Sequence, residues 1–395
     1  MQRWRSRIEL PEPVLMDILS KLPVKSLKRF RCVCKSWSSS FQTSYFITKH
    51  HQNNLANNNF NLFIKFLRNT YGSYFLDLSS EKVENFLVVE NIHFPSLSNS
   101  GYFPIVPCSC NGILCLYNAV NVALWNPSTR EFKTIPPSTI KRPADVHSTE
   151  FDCLGFGFDS ITDDYKVVRF VSNYFEDMDA EIFSKPVCQV ELYSLKSDSW
   201  TEIPSIPGVL PCGIPWSRHY YVNGFYYWQA AKGNSECFIL SFDMANEKFS
   251  TLPLPNVGRS LAQYPMQLLD FNGWLGAMYY PWEGAEKSFE LWVMMNGSWS
   301  RKLTIEPIPQ VERPLGFWKN GELFLLSLSG ELVLFDPANR QLKKLGNHAN
   351  RNLLFLIKYF ESLVPIGGSL EQDEQIIRSP MELTDVEDEE KRGNI

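Results

Sequence analysis

The chain has 395 residues, 44% of them hydrophobic and 14% aromatic, with a net charge of −5. That is enough material for more than one domain with a sizeable core. The composition excludes a disordered chain, no apolar run approaches the ~18 residues of a membrane helix, and no signal peptide is evident.

Residues 10–37 read as two or three very short helices. Pro11 and Pro13 suit a first helical turn, where a missing N–H costs nothing. Val14, Leu15, Ile18, Leu19 and Leu22 recur at steps of one, three and four, which makes one apolar stripe. Pro23 ends that helix. Leu27 and Phe30 form a second stripe, and Val33 to Trp37 begin a third turn with Trp37 and Phe41 on one face. Helices this short are unstable alone, and a cluster this small needs a partner to complete its core. An ordinary three-helix subdomain is the competing reading. Residues 1–51 carry ten Lys or Arg and three Asp or Glu, so this end is basic. The basic residues sit on amphipathic helices, which favours a solvated or acidic-partner-facing surface over nucleic acid.

Past residue 60 the pattern changes to short alternating strands and polar turns. Five segments share one plan: Leu124 to Phe132, Leu192 to Trp200, Ser241 to Phe249, Leu291 to Trp299 and Leu334 to Leu342. A weaker copy runs from Leu76 to Val83. The anchors at 76, 125, 193, 242, 292 and 335 are 49, 68, 49, 50 and 43 residues apart. Asn-Gly pairs at 111–112, 223–224, 272–273 and 320–321 each precede an apolar strand, and such pairs supply the positive φ angles of tight hairpins. This period predicts a β-propeller of about six blades, with an irregular β-sandwich as the alternative. The segments at 61–66 and 353–360 are expected to complete one blade and seal the ring. The fold class is thus α+β multidomain: a small helical subdomain over 1–52, an all-β kelch-like propeller over 53–370 and an acidic tail over 371–395 that is too poor in apolar residues to order itself.

The one long interval holds an excess near residues 172–181. Tyr174, Phe175, Glu176, Asp177, Asp179 and Glu181 there form either a substrate-binding loop or a solvated insertion. No catalytic constellation, P-loop or Rossmann fingerprint appears, so no catalytic residue, metal ligand or cofactor is expected. His50 and His51 are adjacent and point apart on a helix, which disfavours joint chelation. Nine cysteines lack any C-x-x-C spacing and read as reduced thiols of an intracellular protein. A propeller enzyme would need polar residues converging on the ring axis, and none can be named.

The run Leu10-Pro11, Ile18-Leu19, Leu22-Pro23, Ser26-Leu27, Arg29-Phe30-Arg31 and Cys34-Lys35-Ser36-Trp37 resembles the F-box. The resemblance implies a Skp-type adaptor and a cullin scaffold as partners. It assigns adaptor contacts to Leu10, Pro11, Ile18, Leu19, Leu22, Pro23, Leu27, Val33, Cys34 and Trp37. The adaptor family is acidic, which suits the basic helices. Residues 105–346 resemble the plant F-box-associated interaction domain, through Asn111-Gly112-Ile113-Leu114-Cys115, Leu124-Trp125-Asn126-Pro127, Gly155-Phe156-Gly157-Phe158-Asp159 and Asp164-Tyr165-Lys166-Val167-Val168. Leu291-Trp292-Val293-Met294, Pro314-Leu315-Gly316-Phe317-Trp318-Lys319 and Leu334-Phe335-Asp336 are similar to the S-locus F-box lineage. The implied role is a non-catalytic, cytoplasmic or nuclear substrate receptor of a ubiquitin ligase. Its target would be a protein such as a basic S-locus ribonuclease, or an unrelated defence or signalling protein, with neither nucleic acid nor membrane as partner.

Overall fold

A computed structural model describes residues 10–57, 59, 61–66, 75–79, 88–93, 109–118, 121–175, 186–212, 219–232, 236–259, 261, 263–348 and 355–367. Four helices open the chain: α1 (Glu12–Leu19), α2 (Val24–Phe30), α3 (Lys35–Ser40) and α4 (Ser44–Ala56). The first three follow the expected pattern. The fourth was not foreseen; Thr43 caps it, its hydroxyl accepting from the Phe46 N–H at 3.2 Å.

The remaining described strands form six antiparallel sheets. Five are consecutive in the chain, from the second blade (Ser109–Cys110 to Glu131–Thr134) to the sixth (Val311–Phe317 to Gln341–His348). The first blade is composite. Strands Asn61–Phe66, Phe75–Ser79 and Val88–His93 are joined by Phe355–Tyr359 from the far end of the chain, with Asn61 opposite Tyr359 and Lys65 opposite Phe355. This is the predicted seal. Strand Phe355–Tyr359 packs against the innermost strands of both the second and the sixth blade, so the ring is closed. The weak copy at Leu76 holds as a strand, but its hairpin partner is Val88–His93; Val83 lies outside the described residues.

The hidden repeat has a local cause. Asn126, Asp159, Asp243 and Asp336 each turn a side-chain oxygen onto backbone N–H groups two or three residues on. Four residues after each, a non-glycine residue takes positive φ: Arg130, Asp163, Glu247 and Arg340. At Asn126, Asp243 and Asp336 this Asx turn closes the repeated hairpin, which is why a short polar segment separates its two large apolar residues, and Asp159 closes the inner hairpin of the third blade in the same way. At the Asn-Gly turns 111–112, 223–224 and 272–273 both residues have positive φ, as a tight hairpin needs. The pair at 320–321 differs and sits in a 3₁₀ turn, Lys319–Gly321.

Blades pack through their large side chains. The second, third and fourth share a core that includes Leu124, Phe156, Val168, Tyr193, Trp228 and Phe242. Gly155 and Gly157 lie in the long strand Val146–Asp159, where a Cβ would come within 2.6 Å of Trp228 and of Tyr221, respectively. They let the third blade close on the aromatic wall of the fourth. A buried ion cluster joins the same two blades: Lys166 Nζ donates to Asp159 and Glu247, both at 2.7 Å, and to the Met244 carbonyl at 3.0 Å.

Burial pushes the Asp159 carboxyl up, but Lys166, Thr162 and two backbone N–H groups outweigh it and hold it at about 2. A depressed carboxyl contributes stability that is present above its unfolded value near 4 and is lost as pH falls through 2. The denaturant midpoint should therefore drop between pH 4 and pH 2, and Asp159→Asn should flatten that drop while lowering the midpoint at neutral pH. Parallel profiles for the two proteins would refute the assignment.

Candidate interaction sites

The helical module offers two faces. Leu15, Leu19, Leu22, Leu27, Phe30, Trp37, Phe41 and Phe46 build its small core, with Phe30, Trp37, Phe41 and Phe46 in a chain of ring contacts 4.8–6.4 Å apart. Outside that core Leu10, Val14, Ile18 and Val33 are 52%, 46%, 47% and 62% exposed. Pro11, Pro23 and Cys34 are exposed too, and Leu22 and Trp37 are half-buried. This corrects the single-stripe expectation for the first helix. Residues at steps of one and three reach both sides of an eight-residue helix, so Leu15 and Leu19 turn inward while Val14 and Ile18 stay outside. Leu19 and Leu27, at 3% and 0% exposure, serve the interior and present no contact surface. Val14 joins the exposed strip instead. Single apolar residues are common on surfaces, and these four stand alongside Tyr45 and Leu55, 70% and 42% exposed on α4.

The module is fixed to the propeller by a strap, Phe360 to Ile366, that continues the sealing strand. Glu361 accepts the Val24 N–H at 2.6 Å and so caps α2 from outside. Its carbonyl accepts from Asn54 at 3.1 Å. Lys28 donates to the Thr129 carbonyl, and Leu363 packs into the helical core. His50 is buried, which pushes its imidazole below the usual value; neutral, it donates from Nε2 to the Leu22 carbonyl at 3.0 Å. On its other side the strap is bound to the second blade. Asn126 donates to the Ser362 and Val364 carbonyls, and Glu131 accepts the Ile366 N–H at 2.8 Å. Gly112 is required here, since a Cβ would lie 2.4 Å from the Phe360 carbonyl oxygen.

The strap also defines the two propeller faces. Inner strands end on one face, where their turns touch: Asn111 donates to the Tyr165 hydroxyl, Tyr221 to the Phe158 carbonyl and Asn223 to the Gly273 carbonyl. Lys358 and Asp270 pair there at 3.7 Å across the ring. Strap and helices sit on this face. Strand Asp164–Phe175 starts on it, so Tyr174 and Phe175 end on the opposite, distal face. Both are half-buried, with the Tyr174 hydroxyl 3.4 Å from Glu150. Glu176, Asp177, Asp179 and Glu181 lie outside the described residues, as does the acidic tail. On the helices, the exposed Cys34 thiol is held below its usual value by bonds to the Ser36 hydroxyl and the Trp37 N–H. Among the described residues no cluster of His, Cys, Asp or Glu could hold a metal ion, and no helix is long and apolar enough to cross a membrane.

The chain is thus a helical module with exposed apolar residues bolted to a closed ring of β-blades. The family models agree: the F-box domain matches residues 8–49 and the F-box associated beta propeller domain matches residues 61–345. The chain belongs to the family of F-box proteins with an F-box-associated β-propeller. This architecture is characteristic of non-catalytic substrate-recognition subunits of Skp–cullin–F-box ligases. Similar proteins include an F-box/kelch-repeat protein of Arabidopsis thaliana, 27% identical over 350 residues covering 84% of this chain and 88% of the relative. The F-box protein CPR1 of Arabidopsis thaliana is also 27% identical, over 85% of this chain and 84% of its own. Among solved structures, TolB from Acinetobacter baumannii aligns with a TM-score of 0.44 and 10% identity, covering 80% of this chain and 73% of its own. The propeller assignment rests on the strand pairing, not on that likeness.

Proposed function

We propose that the chain is the substrate receptor of a cullin ubiquitin ligase, acting in the cytoplasm or nucleus. The exposed strip of Leu10, Val14, Ile18 and Val33, with Pro11, Pro23 and Cys34, docks the Skp-type adaptor. Leu19, Leu22, Leu27 and Trp37 hold that strip in shape. The distal face, where Tyr174 and Phe175 end, captures the target protein, and Glu176, Asp177, Asp179 and Glu181, which follow in the sequence, join in binding it. The chain makes no bond itself. It raises the effective concentration of a target lysine near the charged ubiquitin carrier. The observation that carries this is the apolar strip exposed on a module whose other side is committed to the propeller.

A narrower proposal makes the target a basic S-locus ribonuclease. Its support is the similarity of 291–294, 314–319 and 334–336 to that lineage and the acidic residues at 176–181, since opposite charge speeds encounter. An F-box protein outside the S-locus, with a defence or signalling target, is the alternative. Affinity purification from native tissue with the proteasome inhibited separates them. Adaptor, cullin and a ribonuclease in the eluate support the narrow form, and adaptor and cullin with another enriched protein support the broad one. Absence of adaptor and cullin would refute both.

A further inference from the structure

Trp282 stands out on the distal face of the fifth blade. It lies in the turn between strands Trp274–Tyr279 and Glu286–Met295, and it is 56% exposed although tryptophan is among the most buried residue types on average. Its backbone, in contrast, is pinned on three sides. The Trp282 N–H donates to the Gln263 carbonyl at 2.9 Å. Lys287 Nζ donates to the Trp282 carbonyl at 2.6 Å and to the Pro281 carbonyl at 2.8 Å. Lys287 is only 3% exposed. Burying an ammonium is costly, so a lysine spent on two turn carbonyls fixes that turn at an energetic expense. The result is a rigid loop that holds an indole out to solvent.

The surroundings select the partner. Glu283 and Glu286, one and four residues on from Trp282, are both exposed, while the Lys287 ammonium is turned onto the two carbonyls, with Glu283 and Glu312 near enough to act on its charge. An exposed indole with two exposed carboxylates within four residues of it attracts a guanidinium or ammonium and repels an acidic group. The connector that accepts the Trp282 N–H also walls a cleft of about 290 Å³ lined by Leu254, Val257, Leu261, Arg259 and Tyr279. Arg259 is held over the Tyr264 ring by Glu290 at 2.9 Å, so it shapes the cleft wall. We infer that Trp282 is a preformed anchor for an arginine or lysine side chain of a captured protein, with Glu283 and Glu286 pairing its charge and the cleft taking an apolar neighbour. This rests on the receptor role proposed above and adds the chemistry of the segment received.

The test uses the full chain bound to its adaptor and a fluorescently labelled peptide of alternating arginine and glycine. The same peptide with citrulline in place of arginine keeps shape and loses charge. Trp282→Ala should weaken the arginine peptide about tenfold. Trp282→Phe, and Glu283→Gln combined with Glu286→Gln, should each weaken it about threefold. The citrulline peptide should not bind measurably. Thermal midpoint and adaptor binding should stay at wild-type values throughout, so loss of adaptor binding by the wild type would overturn the receptor role and not this anchor. Equal arginine-peptide affinity in wild type and Trp282→Ala would overturn the inference. So would equal binding of the citrulline peptide, which marks an apolar partner, or a concentration-dependent dimer abolished by Trp282→Ala, which marks a second copy.

Discussion

A chain ending at residue 354 should fail to form a cooperative fold, whereas one ending at residue 367 should unfold at the wild-type temperature. Removing Phe355–Tyr359 takes the innermost strand from the first blade and leaves Asn61–Phe66 with an unpaired edge. Leu356, Ile357 and Tyr359 are each under 10% exposed, so the cut also opens apolar surface against both neighbouring blades. Each blade of a propeller buries its faces against its neighbours, and a ring with one gap exposes two faces and one strand edge at once. The strap goes with the strand, so the helical module loses Glu361 and Leu363 as well. The expected readout is a broad, non-cooperative melt with aggregation. A sharp transition at the wild-type temperature in the 354-residue chain would show that the ring does not depend on its seal.

Leu27→Ala should destabilise the helical module by about 2–5 kcal/mol, the range for emptying a fully buried leucine site. Val33→Ala, at a position 62% exposed, should change stability by less than about 0.5 kcal/mol. Amide hydrogen exchange over α1–α4 measures both. The two variants should also differ in how they affect a docked partner. Leu27→Ala weakens binding only through the loss of folded module, so cooling restores affinity. Val33→Ala removes a contact and stays weak when the module is fully folded. Protection in Leu27→Ala equal to that of wild type would mean this interior is not what shapes the exposed strip.

Much of the architecture was legible because the local chemistry repeats. Asn126, Asp243 and Asp336 each set an Asx turn in three of the five repeated segments, and the apolar anchors of those segments recur at a blade period. The seal was legible because two strand-like segments at opposite ends of the repeat each lacked a blade. The division of the F-box residues between core and surface was not. In an eight-residue helix one-dimensional spacing does not say which side meets α2 and α4, and Leu19 and Val14 look equivalent in sequence. Helix α4 was missed because its apolar residues are sparse among Asn, His and Lys; Thr43 as an N-cap was the available signal. The strap was hidden for another reason. Its partners lie more than 230 residues away in sequence, at Asn126, Ser128 and Glu131, and no motif announces them. Trp282 likewise gains its meaning from a lysine five residues on that is buried only in the folded blade.

Titration of purified Skp-type adaptor into the full chain, followed by calorimetry, tests the central claim most directly. The wild type should saturate at one adaptor per chain. The double variant Ile18→Asp and Val33→Asp should bind at least ~100-fold more weakly with an unchanged melting temperature, since both side chains lie outside the core. Equal heats for wild type and double variant, or no heat from the wild type, would contradict it.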